Sequence, residues 1–492
     1  MVFSSFYFLL YFLPLFFLSY YLVEFKYKNL CLFLYSLGFY AFGCFDNMYY
    51  VFILIASLVI NYIFSIGIEN LGNKSKEDNK KGKKRLRKLL LVLALILNFG
   101  NLFVFKYYNF FIEVLGSINS SLNLDKSNLL LPIGISFYTF QIVSYVIDVY
   151  FEKIKAERNF IDFGTYVIMF PQLIAGPIVR FIDVQKEIKS ERRADFKRIY
   201  DGFSIFVIGL ASKVLVANQL SLVQVDISNT GIDMISCIGA WMGAISYSMQ
   251  MYFDFFGYSL MAIGLGKMIG ITIVENFKDP FLSTSVEEYW RRWHISLGTW
   301  FRDYLMYPIL FMKPVKKVRS FLSKSVNAKF ANFVVNLIAT FVVWFATGLW
   351  HGANYNFIIW GLYFFVFMTL EQLILSKTIL KFKPFAHLYL CVVIIISFVI
   401  FSNEDLSQMN MYFQKMFYVN TDLINDTFAL TITNNLRAII IGVLCVLRVP
   451  NLIYANIKKY TALRTLVILI LLSLSLFFIY LGYNDPFMYF RF

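Results

Sequence analysis

From Met1 to Val23 the chain carries no charged residue, and this run limits the fold more than any other feature. A helix of about 20 apolar residues crosses the roughly 30 Å hydrocarbon layer of a bilayer. Comparable runs follow in "NLCLFLYSLGFYAFGCF" and "MYYVFILIASLVINYIFSIGI". Across 492 residues the chain is 59% hydrophobic, 20% aromatic and 15% charged, with mean hydropathy +0.65, more oil than one soluble core buries. The bilayer is its solvent, and an all-α integral membrane protein follows, because helices satisfy their own backbone groups in lipid. The start lacks a basic region and a small-residue cleavage site, so Val2 to Val23 reads as a retained first span. Residues 1–492 read as one polytopic membrane domain.

A formal net charge of +15 would point a soluble protein towards nucleic acid, but here the basic residues cluster in short loops between apolar runs. That is the positive-inside pattern, and no nucleic-acid partner is expected. Asn73 to Lys88, with nine Lys/Arg against two acids, marks the cytoplasmic side. Three spans precede it, which puts the N-terminus outside. Leu89 to Ile112 returns outward, Leu129 to Tyr150 comes back, and "FEKIKAERN" supplies the next cytoplasmic charges. "FGTYVIMFPQLIAGPIVRF" contains Pro171, Gly176 and Pro177 and reads as a re-entrant or broken element. A span near Ile199 to Ala217 leads to an outer loop around "VQVDISNTGID", and Ile238 to Phe256 re-enters. Later spans fall on "NFVVNLIATFVVWFATGLW", Phe357 to Leu375, Phe385 to Phe401, Asn435 to Val449 and Leu466 to Leu481. About eleven helices plus re-entrant segments are expected, without the internal repeat typical of many transporters.

The stretch "EEYWRRWHISLGTWFRDYL", Glu287 to Leu305, gathers three tryptophans, three arginines, three acids and His294. His351 closes another tryptophan-rich apolar run, while His387 is a weaker candidate. An ionisable side chain inside a membrane is a functional candidate by default, and a neutral imidazole can take a proton from a hydroxyl and return it. The competing reading is a histidine that merely bonds packed helices together. No HxxxH, HExxH or cysteine cluster accompanies the histidines, so no metal is expected. No GxSxG occurs, and "FLSTSVEEYW" reads as a Ser/Thr cap opening an amphipathic helix. Arg291, Arg292 and Arg302 also suit plain interfacial anchoring. The five cysteines stand singly in apolar runs, as helix-packing residues do.

Taken together, "LLPIGISFYTFQIVSYVIDVY", "FPQLIAGPIVR", "MYFDFFGYSLMAIGLGKMIGI", "ENFKDPFLSTSVEEYWRRWHISLGTWFRDYLMYPI" and "WFATGLWHGANYNFIIWG" resemble the membrane-bound O-acyltransferase (MBOAT) family, in its bacterial alginate O-acetylase-like branch. The resemblance runs over nearly the whole chain. It implies cytoplasmic and extracellular funnels meeting at a central tunnel, with His351 at its middle and His294 as a second polar group there. It also implies acetyl-CoA as cytoplasmic donor with no permanently bound cofactor, a polysaccharide hydroxyl as acceptor, an extracytoplasmic SGNH or esterase-like partner, and multi-pass placement in the bacterial cell membrane. The ending "NDPFMYFRF" is similar to an aromatic C-terminal motif of this branch, shared with the small partner peptide of D-alanyl transfer systems, in which the tyrosine is proposed to carry the acyl group. Here that tyrosine is Tyr489; among Phe487, Phe490 and Phe492 it equally suits an aromatic interface belt.

The expectation is therefore a membrane O-acetyltransferase acting through His351, His294 and Tyr489. D-alanyl transfer to teichoic acid is the alternative within the fold. A non-enzymatic polysaccharide exporter is the alternative outside it, although such a protein would place charges along several spans.

Overall fold

A computed structural model of the chain describes residues 2–73, 80–119, 125–174, 176–375, 379–482 and 488. Among the described residues the secondary structure is helical, without a strand. Eight helices among the described residues are long and apolar enough to cross a membrane. A shorter apolar helix runs over Tyr7–Leu22, and Lys28–Gly43 and Ile135–Tyr150 are helices of 16 residues each. These three short helices lie on expected spans and bring the count to eleven. By contact density the chain forms two compact units, Met1–Phe206 with Met261–Val274, and Val207–Leu260 with Glu275–Phe492.

In the first unit the segment with the two prolines is broken, as its sequence requires. Phe160–Ile168 is helical, Phe170–Leu173 adds one turn, and the next helix is Phe181–Lys189. Pro171 opens the short turn, where its missing N–H costs nothing. The break is buried and bonded to the chain around it: Ser36 Oγ accepts the Phe170 N–H at 3.0 Å, and the Tyr166 hydroxyl reaches the Gln141 and Val179 carbonyls. Phe170 enters a nest of rings, with centroids 4.9 Å from Phe16, 5.2 Å from Phe12 and 5.9 Å from Phe39. Gly134, at φ +71°, lies where a Cβ would sit 2.5 Å from the Leu173 carbonyl oxygen, so this crossing admits only glycine.

Two boundaries differ from the sequence reading. The helix Lys80–Leu102 begins inside the expected basic loop, since Lys and Arg are good helix formers and Arg87 is tied to Glu152 at 2.8 Å. The expected outer loop from Val223 is helix as far as Thr230. Tertiary bonds hold it: Gln224 donates to the Gly243 carbonyl at 2.7 Å, and Asn435 donates to Asp226 at 2.7 Å.

The second unit carries both candidate histidines on short, well-capped joints. Ser285 caps Val286–Arg292 by accepting the Glu288 N–H at 3.1 Å, and Glu288 returns to the Thr284 N–H at 2.8 Å. The cap expected from "FLSTSVEEYW" is present. Glu371, buried on the helix Tyr355–Leu373, accepts the Val286 N–H at 2.6 Å and the Glu287 N–H at 3.2 Å, two donors that no residue within the helix can satisfy.

Candidate active site

His294 is the hinge between Val286–Arg292 and Ile295–Phe301. Its backbone is left-handed, φ 45° and ψ 51°, a conformation that costs a non-glycine residue free energy and recurs at functional sites. The surrounding chain enforces it: the Ile295 N–H donates to the Asn276 carbonyl at 3.0 Å and the Lys278 N–H to the Arg292 carbonyl at 2.9 Å. The imidazole is buried, with the Phe255 ring edge-on at 4.7 Å.

One amide sets its tautomer. His294 Nδ1 lies 3.1 Å from Asn276 Oδ1, and that oxygen also accepts the Ser296 N–H at 3.1 Å and the Ser296 hydroxyl at 2.8 Å. A backbone N–H only donates, so Oδ1 is the acceptor and Nδ1 carries the proton. Nε2 is then the basic nitrogen. His294 lies outside the candidate spans, and burial pushes its pKa down from 6.5 to about 3, which keeps the ring neutral.

His351 is the last residue of the helix Ala328–His351, at a sharp joint to Tyr355–Leu373. Asn354 caps the second helix by accepting the Tyr355 N–H at 2.6 Å. The two helices touch through Gly348 and Gly361: a Cβ on Gly348 would lie 2.4 Å from the Phe357 carbonyl oxygen, and one on Gly361 would lie 2.4 Å from that of Trp344. This close approach seats the His351 ring against Trp360 at 4.8 Å and Phe401 at 5.3 Å. Trp350 joins the two histidines, with ring centroids 5.9 Å from His294 and 5.0 Å from His351. The structure thus brings together the two histidines that the sequence separates.

Two cavities approach this cluster within the same unit. One, of about 420 Å³, is lined by Trp290, Arg291, Arg302, Trp344 and Thr347. Thr347 is one helical turn before His351 on the same face. The other, of about 510 Å³, is lined by Gln224, Tyr247, Gln250, Phe398, Asn403 and Met488. Phe398 packs 5.7 Å from Trp293 and stands one turn before Phe401, which touches His351.

Tyr489 lies outside the described residues. Its neighbour Met488 is described: the backbone N–H donates to Asp254 Oδ2 at 2.8 Å. The arginines pair with adjacent acids, Arg292 with Glu288 at 2.6 Å and Arg302 with Asp303 at 2.9 Å. Asn276, Trp350, Glu371 and Asp254 escaped the sequence reading as individual residues. Asn276 stands inside a quoted motif, but a neutral amide shows neither charge nor periodicity. Asp254, an acid inside a long apolar run, carried a signal that could have been read.

This is a multi-pass helical protein with two buried imidazoles that share a tryptophan neighbour, approached by one arginine-bearing cavity and one neutral polar cavity. Residues 3–413 match MBOAT, the membrane-bound O-acyltransferase family, and the chain belongs to that family: it is a bacterial multi-pass membrane O-acyltransferase. It is 36% identical over 428 residues to the probable alginate O-acetylase AlgI of Pseudomonas putida, covering 85% of this chain and 80% of that protein. It is 34% identical over 385 residues to the peptidoglycan O-acetyltransferase of Helicobacter pylori, covering 71% and 66%. With the teichoic acid D-alanyltransferase of Bacillus subtilis it shares 30% identity over 247 residues, covering 49% and 59%.

Proposed function

We propose that this enzyme moves an acetyl group from cytoplasmic acetyl-CoA to a hydroxyl of a cell-envelope or extracellular polysaccharide, with an extracytoplasmic esterase-fold protein as partner. The observation that carries this reading is the approach of two chemically different cavities to within a helical turn of His351 or of the ring touching it. Arg291 and Arg302 suit the phosphates of a nucleotide-bearing donor. The amide and hydroxyl groups of the other cavity suit a neutral sugar.

In this reading His351 is the base and His294 shares its polar network. The accepting oxygen attacks the thioester carbonyl while its proton passes to an imidazole. The tetrahedral intermediate then expels the thiolate, which takes that proton to leave CoA as a thiol. Tyr489 is the first acceptor. A tyrosine phenol in water gives up its proton only near pH ~10, so at neutral pH it needs such a base. The resulting aryl ester then passes its acetyl group to the partner or to the polysaccharide hydroxyl, restoring the phenol.

D-alanyl transfer is the second reading, favoured by the D-alanyltransferase relatives. The acetylase relatives span far more of this chain, 85% against 49%, and support acetyl. Reconstituted vesicles supplied with labelled acetyl-CoA, or with a D-alanyl thioester on a carrier protein, separate the two. Acetyl label should reach the acceptor in the wild type and fall about 100-fold or more in His351→Ala. Transfer of D-alanine alone would establish the second reading, and wild-type acetylation by His351→Ala would remove that residue from the mechanism.

A further inference from the structure

The histidine cluster leaves one buried charged pair without a task. Asp254, on the helix Cys237–Ile269, and Lys213 are each 2% exposed and lie 2.5 Å apart. Lys213 belongs to a π-helical stretch, Ser212–Ala217, and also donates to Asn218 Oδ1 at 3.2 Å. The local packing is built for the pair: a Cβ on Gly257 would lie 2.6 Å from the Gly209 carbonyl oxygen and 3.0 Å from the Lys213 N, so glycine lets the two helices close. Such a pair is expensive to desolvate, and apolar residues of similar volume often serve stability equally well. Stability alone gives little reason to keep it.

The second carboxylate oxygen supplies a reason. Asp254 Oδ1 meets Lys213, while Oδ2 accepts the Met488 N–H at 2.8 Å. Met488 also lines the neutral polar cavity, together with Gln250 and Tyr247 from the same helix as Asp254. The next residue on that helix, Phe255, packs on His294 at 4.7 Å. About two and a half turns of this helix, Tyr247 to Phe255, therefore carry the anchor of the Met488 backbone, a wall of the cavity and a ring contact to a candidate catalytic histidine.

We propose that Asp254, oriented by Lys213, is a positioning residue that latches the C-terminal tail through the Met488 backbone and thereby sets the reach of the residue that follows, Tyr489. Lys213 holds one oxygen and so fixes the direction of the other. The latch reads the Met488 backbone and not its side chain. The proposal rests on the relay reading of Tyr489, yet the latch itself has an independent readout.

Met488→Pro removes the donated N–H and leaves the buried pair intact. Lys213→Met combined with Asp254→Leu removes both charges without orphaning either. Both variants should lower kcat for acetyl transfer about 10- to 100-fold, the scale of a misplaced reacting group, with KM for acetyl-CoA retained. In a background with the native cysteines replaced, a cysteine at Phe492 should react faster with an impermeant maleimide in both variants than in their parent. Transfer within twofold of the parent together with unchanged labelling would overturn the latch. If Tyr489→Phe is fully active while labelling still rises, the latch stands and the relay falls. If Tyr489→Phe is inactive while both latch variants match the parent in transfer and labelling, the relay stands and the latch falls.

Discussion

At the scale of single residues the site depends on His294 occupying a conformation that few side chains accept. Asparagine tolerates positive φ, whereas a β-branched residue does not. Neutrality has its own consequence. The unfolded chain binds a proton at His294 below about pH 6.5, and the folded chain does not until about 3. The stabilising contribution is whole above about 6.5 and shrinks as pH falls through that window, by up to ~1.4 kcal/mol per unit. Wild-type thermal stability should therefore fall faster between pH 6.5 and 4 than that of His294→Asn; parallel melting curves would refute the buried neutral ring. His351 was legible in the sequence because an ionisable group closing an apolar run stands out, and His294 because it sits in a dense polar motif. Asn276 was not, because its role exists only once Ser296 and His294 meet it from across a turn.

Among elements, the joint between Ala328–His351 and Tyr355–Leu373 carries the most geometry per residue. Gly348→Ala would push a methyl group into the Phe357 carbonyl. We expect a loss of ~1–3 kcal/mol from overpacking and a fall in acetyl transfer larger than the drop in melting temperature explains, because His351 moves with its helix. Wild-type activity and stability in that variant would show that the joint yields. The broken segment around Pro171 was readable, since proline and glycine state backbone needs directly. The end of the helix at Thr230 was not, because polar "VQVDISNT" reads as loop until the bonds from Asn435 and to Gly243 are known.

For the whole molecule, the basic stretch Asn73 to Lys88 predicts the orientation in the membrane. A cysteine introduced at Lys83 in a cysteine-free background should resist an impermeant thiol reagent in intact cells and label readily in inverted vesicles; the reverse pattern would invert the topology. Class and family were legible because apolar length and long polar motifs are local properties of the chain. Of the chain's seven tryptophans, Trp290, Trp293, Trp344, Trp350 and Trp360 crowd around the histidines, with Trp290 and Trp344 4.8 Å apart and Trp360 4.8 Å from His351. Much of the light this protein emits under ultraviolet excitation should thus originate beside the proposed reaction site. The enzyme carries its own optical gauge, and the arrival of donor or acceptor can be followed in native protein, with no label attached.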